Sequence, residues 1–150
     1  MNVNVSINGR AVPRNQAKIS VFDNSLFYAE GLFETLLAVN NKPVFLQDHL
    51  DRLEKGAYMI GIKLPCTRKQ LIRWINRAVE ANPAKINKLR ITVTAGDTAF
   101  WAGKDSQPRI IIIVTDYKIP DTTFKLGVAP FRVDHDNPFR NVKTLSFIIE

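Results

Sequence analysis

Apolar residues recur along this chain first by twos, then by threes and fours, then by twos again. Val3, Val5 and Ile7 alternate with polar neighbours and run into Asn8-Gly9. That pattern predicts a strand entering a tight hairpin, because both turn positions must accept positive φ. Ala11 to Pro13 starts the return strand, and Ile19 to Phe22 reads as a short extended piece. Leu32 to Val39 is the next strong strand; Asn40-Asn41 closes it and Lys42 to Phe45 answers it.

The spacing then changes. Leu46, Leu50, Leu53, Ala57 and Ile60 form one apolar stripe at helical steps, which ends before Leu64-Pro65. A second helix starts at Thr67, where Thr67 with Gln70 matches a capping box. Leu71, Trp74, Ile75 and Ala78 form its inner face, and Asn82-Pro83 stops it.

Alternation returns with Leu89, Ile91 and Val93 on one side and Arg90, Thr92 and Thr94 on the other. Ala95 to Gln107 is a loop that holds Gly96, Gly103 and the pair Phe100-Trp101. Ile110 to Val114 is apolar throughout, as in a strand covered on both faces. Tyr117 to Asp121 reads as a linker, and Lys125 to Phe131 as a strand of a second unit. Thr144 to Glu150 has the look of a helix beginning, with Leu145, Ile148 and Ile149 on its apolar side and no C-cap. The chain is therefore expected to be truncated within a second domain. The expected fold class is α+β: a small N-terminal β-sheet domain with two helices packed on it (residues 1–117). A linker and the start of an α/β domain follow (residues 118–150).

Composition adds limits rather than direction. The 150 residues are 45% hydrophobic and 23% charged, ordinary for a globular protein. No apolar run approaches the ~20 residues of a membrane-spanning helix, and the N-terminus lacks the features of a signal peptide. Cys66 is the only cysteine, so no intrachain disulfide forms, which suits a cytoplasmic setting. The net charge of +7 is dispersed, its densest cluster being Arg68, Lys69, Arg73 and Arg77 along one helix. That reads as a solvated helix face, not a nucleic-acid footprint.

Few residues offer chemistry. There is no nucleophile elbow, no P-loop and no HExxH pair. His49 and His135 lack metal-ligand spacing, so no metal is expected. Glu34 sits in the apolar row of Leu32, Leu36 and Ala38, where a carboxylate must be paired or shifted in pKa. It serves either as a structural carboxylate or as part of a site. Arg52 lies off the stripe of the first helix, where an ion pair with Asp48 is the plain reading. Lys143 stands at an apparent helix start, where the helix dipole favours the free amine; an ordinary lysine is the competing reading.

Three segments, taken together, carry a resemblance. ISVFDNSLFYAEGLFETLLAVNNKPVFLQDHLDRLEKGA, LRITVTAG and NVKTLSF occur in the order seen in the fold-type IV pyridoxal-phosphate enzymes. That family includes branched-chain aminotransferases, D-amino acid aminotransferases and aminodeoxychorismate lyases. The resemblance spans essentially the whole chain and rests most on GLFET, HLDRL and VKTLSF. It implies pyridoxal 5'-phosphate as cofactor, with Lys143 matching the Schiff-base lysine and Arg52 the arginine on the cofactor phosphate. Tyr28 and Phe33 match aromatic positions of the substrate pocket, Glu34 follows in the same signature, and Arg90 matches a pocket arginine.

The implied activity is transamination between an amino acid and a 2-oxo acid by a homodimer. Lys143 would shuttle the proton between the α-carbon and the cofactor. Aminodeoxychorismate lyase is the near alternative, and an inactive fragment serving as a dimerisation module is an alternative of another class. Two departures stand out. The loop DTAFWAG lacks the Arg-x-His trap of D-amino acid aminotransferases, and Ser146 replaces a frequent asparagine. The family's carboxylate for the pyridine nitrogen follows the lysine, beyond Glu150.

Overall fold

The computed structural model describes residues 3–97, 106–128, 130 and 136–146. Asn8 and Gly9 both adopt positive φ, 49° and 78°, and join β1 (Val3–Ile7) to β2 (Arg10–Val12) as expected. Pro13 falls outside β2 and precedes a 3-10 turn, Arg14–Gln16. A single helical turn, α1 (Asn24–Phe27), is followed by β3 (Gly31–Val39). Asn40 and Asn41, again with positive φ, lead to β4, which is only Lys42–Pro43. Helices α2 (Leu46–Met59) and α3 (Arg68–Glu80) come next, then β5 (Ile86–Thr94) and β6 (Arg109–Asp116).

The six strands form one antiparallel sheet in the order β2-β1-β6-β5-β3-β4. Period-two alternation decides its faces. Leu32, Leu36 and Ala38 lie level with Leu89, Ile91 and Val93 and with Ile110, Ile112 and Val114, all buried. The stripes of α2 (Leu50, Leu53, Ala57) and α3 (Leu71, Ile75, Val79) cover that face and complete a single apolar core. Thr67 caps α3 by accepting from the Gln70 amide.

Several expectations are corrected. Ile19 to Phe22 forms no strand: Val21 and Phe22 lie in a turn, where the Ser20 hydroxyl accepts from the Phe22 amide and bends the backbone. Ile110 to Val114 is covered on one face only: Ile111 and Ile113 remain half-buried on the side opposite the helices. Residues 125–128 form no strand; Leu126 and Val128 are exposed and have no ladder to join among the described residues. Thr144 to Ser146 are not helical, because Thr144 bridges to Leu32 and the segment pairs with β3. Phe100-Trp101, Gly103, His135 and the chain's last four residues lie outside the described residues.

Candidate active site at the edge of strand β3

β3 carries the site on both of its faces. On the helix side Glu34 occupies one position of the otherwise apolar row and is 1% exposed. Unpaired, such a carboxylate costs several kcal/mol, on the order of the penalty for burying any lone ion. Here α2 supplies both partners, from positions three residues apart and hence on one helix face. Arg52 donates from Nε to Glu34 Oε1 and from Nη2 to Oε2, both at 2.6 Å. His49 Nδ1 lies 2.7 Å from Oε2. An ionised carboxylate only accepts, so Nδ1 carries the proton. Burial works to raise the Glu34 pKa, but the hydrogen bonds and charges of Arg52 and His49 outweigh it and hold the group below its ordinary value. The Arg52 guanidinium is raised in turn, chiefly by its hydrogen bond to Glu34. The pairing of Arg52 with Asp48 expected from helical spacing is therefore replaced by one with Glu34, whose buried charge is the stronger attractor.

The other face holds Phe33, with the Arg90 guanidinium stacked on its ring at 3.9 Å from the centroid. Thr35 pairs with Arg90 across the β3–β5 ladder, which sets that side chain diagonally over Phe33. Arg stacks well because its planar guanidinium is weakly hydrated.

The third component is a strap, residues 138–145. A 3-10 turn, Pro138–Asn141, opens with the Asn137 side chain accepting from the Phe139 amide. Val142 then enters the core beside Leu32 and Gly56. A Cβ on Gly56 would stand 2.9 Å from Val142 Cγ1, so glycine is what allows that approach. Lys143 follows with its backbone fixed: its carbonyl accepts from the Phe33 amide at 2.9 Å, and the Leu145 amide donates to the Gly31 carbonyl at 3.0 Å. A Cβ on Gly31 would meet Leu145 Cδ1 at 2.5 Å. Lys143 is thus placed by sheet pairing and not by a helix start, which removes the helix-dipole argument for its amine. Its Nζ lies 5.4 Å from the Phe33 ring and has no hydrogen bond or ion pair among the described residues.

Arg52 and Lys143 line one open cleft of about 500 Å³ with Asp48, Asp51, Lys55, Arg140 and Asn141. Its balance is four cations to two carboxylates. Arg52 keeps 41% of its side chain exposed there, and its Nη1 has no partner among the described residues. The structure thus gathers Glu34, Arg52, Phe33, Arg90 and Lys143 around one strand edge. Tyr28 stays apart: it is exposed, its ring 6.0 Å from that of Phe27, with Ala29 turning the chain at φ 54° before β3. His49 becomes part of the site although its spacing suggested nothing. The signal was its position three residues before Arg52, on the face that meets β3.

The description Amino-transferase class IV matches residues 31–149 of the chain. The chain is 32% identical over 111 residues to a putative branched-chain-amino-acid aminotransferase of Methanocaldococcus jannaschii, covering 73% of this chain and 38% of that protein. It is 25% identical over 118 residues to an aminodeoxychorismate lyase of Bacillus subtilis, covering 76% and 40%. Among solved structures it resembles the branched-chain aminotransferase of Thermoproteus uzoniensis with norvaline, with a TM-score of 0.68 and 27% identity over 77% of this chain and 41% of that one. The chain spans about two fifths of the length of these curated relatives.

Proposed function

The chain belongs to the class IV amino-transferase family, and we propose that it carries the lysine half of a pyridoxal 5'-phosphate site for transamination between an amino acid and a 2-oxo acid. The observation that supports this best is the cleft itself, where a lysine amine and an arginine Nη1, both without a hydrogen-bond partner among the described residues, share one wall. The donor set fits the cofactor: a phosphate suits a guanidinium fork, and a carbonyl suits a primary amine.

Arg52 would take the phosphate, and Lys143 would hold the cofactor carbon. When bound, the cofactor supplies an electron sink for charge developing at the amino acid's α-carbon. Lys143, anchored through its own carbonyl and by the Leu145 amide two residues on, would hold and return the proton at that carbon. Arg90 on Phe33 offers a fixed cation for a substrate carboxylate. A homodimer belongs to the same proposal, supported by the apolar side chains exposed at Val21, Phe22, Leu26 and Phe27. So does a cytoplasmic location, which suits a chain whose single cysteine, Cys66, can form no intrachain disulfide.

Aminodeoxychorismate lyase is the second reading, favoured by the Bacillus subtilis relative. Assays separate the two: amino-group transfer from leucine to 2-oxoglutarate against release of p-aminobenzoate. The shared premise is tested by borohydride reduction of the intact protein with pyridoxal phosphate, followed by peptide mass spectrometry. The expected result is a cofactor fixed on Lys143 and lost in Lys143→Ala. Attachment elsewhere, or unchanged attachment in the variant, would sink the assignment.

A further inference from the structure

We propose that Glu34 and His49 are positioning residues that aim Arg52, so that one edge of its guanidinium is held by the protein and the other is left for the cofactor phosphate. The inference rests on the cofactor reading above and assigns Glu34 a task different from contact with substrate.

The argument is one of donor counting. A guanidinium carries five N–H groups in a rigid plane, which form a side edge (Nε with Nη2) and an end edge (Nη1 with Nη2). Glu34 occupies the side edge completely, with two bonds of 2.6 Å. Nη1 has no partner among the described residues, and Nη2 beyond its bond to Glu34 meets only His49 Nδ1, at 3.5 Å, a ring nitrogen whose proton faces Glu34; the end edge thus keeps its donors. That edge is itself a two-pronged donor suited to phosphate. Glu34 has little freedom of its own: it lies 1% exposed within β3, and His49 takes the remaining direction of Oε2 at 2.7 Å. Arg52 is 41% exposed, a long side chain at the rim of the α2 face that meets β3, and free of Glu34 it would sample many rotamers. The pair therefore converts a mobile surface arginine into a fixed donor on the cleft wall.

Geometry also explains the choice of a carboxylate. A neutral Gln at this position has one acceptor oxygen, so it can hold one prong of the side edge but not both. The negative charge draws against the attraction of Arg52 for phosphate. The surplus of cations in the cleft, Lys55, Arg140 and Lys143, compensates that loss. Orientation is gained without leaving the cleft anionic.

The test separates aim from mere stability. Equilibrium affinities for pyridoxal 5'-phosphate and for pyridoxal, which lacks the phosphate, are measured on the intact protein and on Glu34→Gln, Glu34→Ala, His49→Gln and Arg52→Ala. Glu34→Ala is expected to weaken phosphate-form binding roughly ten- to a hundredfold, the loss typical of a charged hydrogen-bond pair, while pyridoxal binding changes little. Glu34→Gln should fall between it and the parent. The double variant Glu34→Ala/Arg52→Ala should bind no worse than Arg52→Ala, because the two act through one contact. Preference for the phosphate form that survives both Glu34 variants but is lost in Arg52→Ala overturns the positioning role and leaves the cofactor reading intact. Equal weakening toward both compounds also overturns it, since that is the mark of a general structural defect. A parent protein indifferent to the phosphate overturns both.

Discussion

Two buried carboxylates are each bound to an arginine, Glu34 within the sheet and Asp23 in the turn beside it, and they end differently. Asp23 caps α1, accepting from the Ser25 amide, and it also accepts from the Thr94 hydroxyl and from Arg109 Nη1. Arg109 is shared with Asp97, which closes the network between the α1 turn and the ends of β5 and β6. Asp23 is 0% exposed and the Arg109 side chain only 24%. Glu34 is as deeply buried, but its arginine stands 41% exposed and opens on a cleft. The first arrangement answers its cation with a second carboxylate and functions as a clamp. The second leaves its cation with donors unused among the described residues, as a ligand site requires. Burial of the carboxylate does not distinguish them; what the arginine has left over does.

Breaking the clamp should give the largest effect on stability. Arg109→Ala leaves Asp23 buried without its countercharge, a change worth about 3–4 kcal/mol in chemical denaturation. Arg52→Ala should cost only about 1–2 kcal/mol, since its exposed cation is worth less and His49 still serves Glu34. The contrast would reverse in cofactor affinity, where Arg52→Ala is damaging and Arg109→Ala is felt only through unfolding. Equal stability losses in the two variants would erase the distinction between clamp and site.

A smaller change bears on the strap that brings Lys143 to the open site. Gly56→Ala gains about 1 kcal/mol of helix propensity in α2. The added carbon must displace Val142, which costs about 1–3 kcal/mol by overpacking. The net expectation is a mild destabilisation concentrated in residues 142–145. Amide exchange should report it: the Phe33 N–H, bonded to the Lys143 carbonyl, should exchange faster while amides in the centre of β6 hold. Uniform acceleration would show that the strap is not a separate element.

Much of this was legible from residue order because it is local or periodic. Glu34 drew notice as a charge in the row Leu32, Leu36, Ala38, and both hairpin turns follow from paired residues that tolerate positive φ. The two helix stripes are the ones that cover the sheet. The partners of Glu34 were not legible, because the nearer of His49 and Arg52 is fifteen residues away and only the β3-to-α2 crossing brings them over the strand. Asp23 was missed for the same reason, with Thr94 and Arg109 at separations of 71 and 86. The strap deceived in another way. Leu145 and its neighbours have the spacing of a helix, but the unfilled edge of β3 offers backbone partners at Gly31 and Phe33, and pairing there overrides local propensity. Lys125 to Val128 shows the converse: alternating residues form no strand where they pair with none among the described residues.

Acid titration sharpens the comparison last, with the smallest effect near neutrality. Burial pushes both carboxyls upward, and in both the hydrogen bonds and nearby cations prevail, so Asp23 and Glu34 each lie below their ordinary values. A carboxylate depressed on folding stabilises the native state above its unfolded pKa, about 4 for these groups. That stability is lost as the pH falls through the lower folded values. Unfolding free energy should therefore be flat at neutral pH and decline below about 4. Arg109→Ala and Arg52→Ala each remove a cation from a carboxylate that burial pushes upward, so in both variants the decline should begin at higher pH. A limb that stays in place in either variant would mean that the hydrogen bonds left to the carboxylate, from Ser25 and Thr94 to Asp23 or from His49 to Glu34, hold it down without its arginine.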